Sequence, residues 1–142
     1  MIQKILCATD GSHSARKAVD FATELAGQCA GHVAFVVVNT VTGEKMRTTA
    51  GWDSSELSVA QAQIGTELAN ARRTAEEAGI EFSLHEAEGR DIAETIVAFA
   101  EAEGCDHIVV GSAGRRGLMG ALIGSVARGV VSHAHCPVTV VR

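Results

Sequence analysis

Tyrosine is absent from the 142 residues, and the aromatic share is only 4%. Single-stranded nucleic acid binds by stacking its bases on aromatic rings, so the chain offers little of that platform. Basic charge is also in deficit: 12 Lys and Arg stand against 17 Asp and Glu, for a formal net charge of −5. A nucleic-acid binder presents a positive face, and this balance argues against one. No apolar run approaches the ~18 residues of a membrane span, so no membrane insertion is expected. The first residues, Met-Ile-Gln-Lys-Ile-Leu-Cys, lack the pattern of a secretory signal, which predicts a cytoplasmic protein. Cys7, Cys29, Cys105 and Cys136 form no Cys-x-x-Cys pair and read as reduced thiols behaving as small hydrophobes. His133-Ala134-His135-Cys136 offers only three metal-competent side chains, short of a tetrahedral zinc set, so no metal ligands are assigned.

What is present is a core. Hydrophobic residues make up 46% of the chain and charged ones 20%, enough for residues 1–142 to form one domain without staples or metals. The periods alternate along the chain. Lys4 to Thr9 is a short apolar strand, broken by Asp10-Gly11-Ser12. Ala15, Ala18, Val19, Ala22, Leu25 and Ala26 recur at helical spacing, with Ser12 or Ser14 as N-cap and Gly27 and Gly31 about the end. Val33 to Val38 is apolar without alternation, as in a strand covered on both faces. Residues 40–55 carry no period and read as a long connection. A helix is expected over Glu56 to Ala78 and an alternating edge strand over Ile80 to His85. A helix with Asp91 as N-cap follows, then a strand over Cys105 to Val110. A helix from about Ser125 is stopped before Pro137, and Val138 to Val141 is the last strand. The order βαβαβαβαβ demands right-handed crossovers, hence a parallel sheet with helices on both faces.

The segment after the fourth strand carries Gly111, Gly114, Gly117, Gly120 and Gly124, then Ser125 at a helix start. Glycines bring main-chain N–H groups close to an anion, and a helix N-terminus adds unpaired donors and partial positive charge. Arg115 and Arg116 are secondary, mobile cationic contacts. In a doubly wound sheet the loop after the first strand, Thr9-Asp10-Gly11-Ser12, lies beside this one. A carboxylate facing an anion cradle describes a nucleotide site. It is neither a Walker A loop, since no Gly-Lys-Ser/Thr follows a strand, nor the dinucleotide fingerprint, since Gly-x-Gly-x-x-Gly is missing after strand one.

The spacing is Gly111-x₂-Gly114-x₉-Gly124-Ser125. Together with Thr9-Asp10-Gly11-Ser12, Glu88-Gly89, Asp106 to Ser112 and the tail from Val131 to Arg142, it resembles the ATP-binding branch of the universal stress protein family over the full length. The resemblance implies an α/β, doubly wound, five-stranded parallel sheet in the order 3-2-1-4-5, of the adenine-nucleotide α-hydrolase-like kind. It implies that Ala8, Thr9 and Asp10 contact adenine and ribose, with Val38 lining the base pocket. Val110, Gly111 and Gly114 would flank ribose and phosphates, and Gly124, Ser125 and Val126 would bind the phosphates. Relatives often carry Pro or Val where Ala8 stands, so the adenine fit is expected to be looser here.

The expected function is nucleotide-dependent regulation in a stress response. The ligand would be ATP (or AMP or ADP) with Mg²⁺ or Mn²⁺, with at most slow hydrolysis and no catalytic residue assigned. The resemblance also implies a homodimer through the last strand, around Val138 and Val140, an edge that invites pairing. A regulatory protein target is expected but not identified by the sequence. Two alternatives stay open: an adenylyl-transferring enzyme of the same fold group, and an interaction module that binds no nucleotide.

Overall fold

The structure, a computed structural model, describes residues 1–40, 54–113 and 122–142, with residues 54–57 described by their helical backbone alone. The elements are β1 (Lys4–Ala8), α1 (His13–Cys29), β2 (His32–Asn39), α2 (Ser54–Ala78), β3 (Glu81–Glu88), α3 (Ile92–Ala102), β4 (His107–Gly111), α4 (Ser125–His133) and β5 (Val138–Val141). The strands form one parallel sheet in the order β3-β2-β1-β4-β5, as expected from the sequence.

Alternation within each apolar run decides which face of the sheet a side chain covers. Ile5, Cys7, Val33, Phe35 and Val109 pack on one face with Ala18, Val19, Ala22 and Ala26 of α1 and with Ala71 and Ala75 of α2. Leu6, Ala34, Val36, Ile108 and Val110 pack on the other with Ile96, Val97 and Ala100 of α3 and with Ala127 and Val130 of α4. Both faces of the central strands are therefore dry, which explains their unbroken hydrophobicity. Small alanines on the helices let α1 and α2 lie close over Phe35, one of the largest fully buried side chains.

The ladders differ in length. β2 pairs with β3 along all of His32–Asn39, whereas β1 meets β4 only through Ile5, Leu6 and Cys7 against His107, Ile108 and Val109. The Asp106 carboxylate braces that short seam from below, accepting the Gln3 N–H at 2.9 Å and the Lys4 N–H at 3.2 Å.

Three local expectations shift. β3 runs on to Glu88 rather than stopping at His85, because β2 supplies register partners up to Asn39. β4 begins at His107, since the Cys105 N–H still closes the preceding helix on the Ala100 carbonyl at 2.8 Å. α1 ends with Ala30, not a glycine, in the left-handed conformation at φ 52°. Gly31 is needed instead for close approach: a Cβ there would sit 3.1 Å from the Gln3 carbonyl oxygen, where β2 sets out beside β1.

Candidate functional site

The carboxyl ends of β1 and β4 converge as their crossovers require. Thr9, buried at 8% exposure, anchors the first loop through its N–H to the Val36 carbonyl at 3.0 Å. The Asp10 carboxylate accepts the Ser12 N–H at 2.9 Å, an Asx turn that aims the chain into α1. Gly11 completes the turn at φ +76°, and a Cβ there would collide with the buried Glu67 carboxylate of α2. Ser12 is the N-cap of α1, its hydroxyl accepting the Ala15 N–H at 3.2 Å.

The second loop is stitched to the first. The Ser12 hydroxyl donates to the Ala113 carbonyl at 3.2 Å, the Ser14 hydroxyl donates to the same oxygen, and the Ala113 N–H returns to Ser14 Oγ at 3.1 Å. Gly111 makes this approach geometrically available: a Cβ on it would lie 2.7 Å from the Ala15 nitrogen. Farther along, the Gly124 N–H donates to the Ser112 carbonyl at 2.7 Å, which draws the start of α4 to the tip of β4. Gly124 is the N-cap of α4 and makes no side-chain cap bond. The first N–H groups of the helix therefore carry partial positive charge without a capping oxygen from that position.

The sequence-derived residues fall as follows. Ala8, Thr9, Asp10, Val110, Gly111, Gly124, Ser125 and Val126 gather on these joined loops, with Ser125 exposed and Gly124 buried. Val38 stands one strand away at the end of β2, half-buried against the α3–α4 layer. Gly114 and Arg115, with Arg116, lie outside the described residues, as does most of the 40–55 connection. Reasoning from the sequence missed the bridging work of Ser12 and Ser14, and missed Ala113, whose contribution is all main chain. It also missed Glu67. An acidic residue three positions after Ile64 and four before Ala71 falls inside the buried stripe of α2, and that misplaced charge is the signal.

The arrangement presents groups of two kinds. One end offers a carboxylate for hydroxyl or amino donors, and the other offers N–H groups and a serine hydroxyl for an anion. Cys7 lies beneath the first loop in full burial, which together with Asp20 pushes its thiol far up and leaves it inert as a nucleophile. Among the described residues no group of three His, Cys, Asp or Glu side chains could hold a metal ion, and no helix is long and apolar enough to cross a membrane.

A model of the universal stress protein family matches residues 1–142. The chain belongs to this family. Among its relatives is the universal stress protein MJ0531 of Methanocaldococcus jannaschii, 35% identical over 144 residues, spanning 100% of this chain and 83% of that protein. The solved structure of protein MJ0577 superposes with a TM-score of 0.84 at 27% identity, covering 99% of this chain and 96% of that one. Two more family structures share the fold. A universal stress protein in complex with cAMP has a TM-score of 0.77 at 23% identity, covering 99% and 97% of the two chains. The Archaeoglobus fulgidus protein in complex with dAMP has a TM-score of 0.72 at 23% identity, covering 100% and 98%.

Proposed function

We propose that this universal stress protein binds an adenine nucleotide across the β1 and β4 loops and acts as a nucleotide-dependent regulator in a stress response. The observation that carries the reading is the Ser12 and Ser14 bridge to Ala113. It fixes the Asp10 turn beside the uncapped start of α4. Adenosine then has Ala8, Thr9, Asp10 and Val38 on its side, and the phosphates have Gly111, Gly114, Gly124, Ser125 and Val126 on theirs, with Arg115 within the same loop. The ligands of the two family structures, cAMP and dAMP, share an adenine and one phosphate, which supports the same division of labour here.

ATP is the ligand that uses the whole cradle. Mg²⁺ or Mn²⁺ accompanying the triphosphate would be held mainly by phosphate oxygens and water, with Asp10 and Ser125 as the residues that would offer it an oxygen, and would neutralise phosphate charge. Hydrolysis is expected to be slow at most, since the sequence assigns no residue to general-base work at the phosphates. The β5 edge, four half-buried residues with no charge among them, pairs with a second copy around Val138 and Val140.

Calorimetric titration with ATP, cAMP and adenosine tests the reading. Ser125→Asp places an anion where the phosphate sits while suiting the helix start. It weakens ATP and cAMP about tenfold or more and leaves adenosine unchanged. Equal ATP affinity in wild type and variant, or no binding by wild type, overturns the proposal.

A further inference from the structure

The opposite edge of the sheet carries a second feature. β3 pairs with β2 on one side, and its sequence, EFSLHEAE, exposes Glu81, Glu86 and Glu88. Beside its carboxyl end, between the strand and α3, lies a groove of about 450 Å³ lined by Ala87, Glu88, Glu94, Thr95, Ala98 and Phe99. Its floor is apolar, and Phe99 is held in place by the His85 ring at 5.0 Å. Among the described residues that line it are two carboxylates and no cation.

This combination selects one kind of occupant. An edge strand adds a further strand through main-chain hydrogen bonds, and pockets beside it read alternate side chains. A second copy pairing antiparallel about the middle of β3 would set Glu81 opposite the second copy's Glu88, and like charges across a strand pair repel. Nucleic acid is repelled for the same reason. An arginine fits both parts of the groove. Its aliphatic stem lies on Phe99 and Ala98, and its guanidinium reaches Glu88 and Glu94 as charge-assisted donors. The glutamates then do two jobs, guarding the edge against self-association and admitting a cationic strand.

We infer that the β3 edge and its groove form a docking site for an extended, arginine-bearing segment of a partner protein. The site lies two strands from β1, away from the β1 and β4 loops, and its Ala87 borders the adenine side of the proposed nucleotide site as the register partner of Val38.

The test uses the full chain and a fluorescein-labelled peptide as long as β3, alternating valine and arginine, followed by anisotropy. Saturable binding that weakens from low to physiological ionic strength is expected. Glu88→Gln with Glu94→Gln, both on exposed residues, lowers affinity about tenfold or more. Ala98→Met, which fills the groove without altering charge, also lowers it. The same peptide with glutamate for arginine, or with alternate backbone amides N-methylated, fails to bind. No saturable binding at low ionic strength overturns the inference. So does equal binding by both variants, equal binding by the N-methylated peptide, or self-association through this edge in place of peptide capture.

Discussion

Replacing Gly111 by alanine drives a wedge between the two halves of the candidate site. The new Cβ would lie 2.5 Å from Ser14 Oγ and 2.7 Å from the Ala15 nitrogen and the Ser14 carbonyl carbon. Ordinary contact begins at 3.4 Å, so α1 and β4 must separate by about 0.7 Å, and two of the three opposing atoms are main chain that cannot rotate away. Ser14 and Ala15 are buried in the first turn of a helix pinned through Ala18 and Ala22, so the displacement is resisted along α1. Overpacking of this kind costs about 1–3 kcal/mol. Stretching the Ser14–Ala113 hydrogen bonds adds about 1 kcal/mol, for a total of about 2–4 kcal/mol. In urea, with a slope of about 2 kcal/mol/M, the unfolding midpoint falls by about 1–2 M at constant slope. ATP affinity falls with it, because the Asp10 turn and the start of α4 no longer keep their spacing. Equilibrium unfolding by circular dichroism and calorimetry on the folded variant read the two effects. A midpoint and an ATP affinity both equal to wild type refute the reasoning.

Gly65→Ala serves as the contrasting case. A Cβ there meets nothing within 4 Å on exposed α2, so the variant is stabilised by about 0.5–1 kcal/mol, read as a raised thermal midpoint. Asp106→Ala removes the acceptor for the Gln3 and Lys4 N–H groups and destabilises by about 1.5–3 kcal/mol in urea, whereas the nearby Lys4–Glu103 pair, half-exposed, is expected to contribute under about 1 kcal/mol in a double-mutant cycle. Burial holds the imidazoles of His107 and His32 below the ordinary histidine range, with Lys4 helping at His32. The unfolded chain therefore takes up protons first as pH drops. The stability contribution is full above about pH 6.5 and is lost as pH falls through the lowered folded values. His107→Gln, keeping a donor for Thr139, flattens the fall in melting temperature between about pH 7 and 5.

The sequence made the sheet legible because its strands are dry on both sides. Val33 to Val38 read as covered on both faces and the alternation at Phe82 and Leu84 marked an edge, whereas the strand order came from the family resemblance. Element ends were less readable. The pattern beyond His85 turns polar although the chain still pairs, since an edge strand needs only a partner's register and not an apolar face. Ala30 took the left-handed cap because Gly31 was committed to passing Gln3. At the candidate site, glycine and serine spacing pointed to two loops that the structure brings together. What joins the loops is a main-chain carbonyl of Ala113 held by two serine hydroxyls, and main-chain groups have no letter in a sequence. The stripe position of Glu67 was visible, but its approach to Gly11 depends on where α2 lies, which only packing determines.

The β1–β4 ladder is the shortest of the four that hold the sheet together, and the candidate site sits on top of it. Among the described residues β1, β2 and β3 lie on one side of that line and β4 and β5 on the other, with α1 straddling it through its contacts with Val109 and Gly111 and α3 packing across it in the opposite layer. A ligand touching both loops is therefore a clasp across a seam. Each bound molecule deepens the free energy of opening there by RT ln(1 + [L]/Kd). Amide exchange along Ile5 to Cys7 then slows as ligand concentration rises, and the fold turns a concentration into the stiffness with which its two halves are held together.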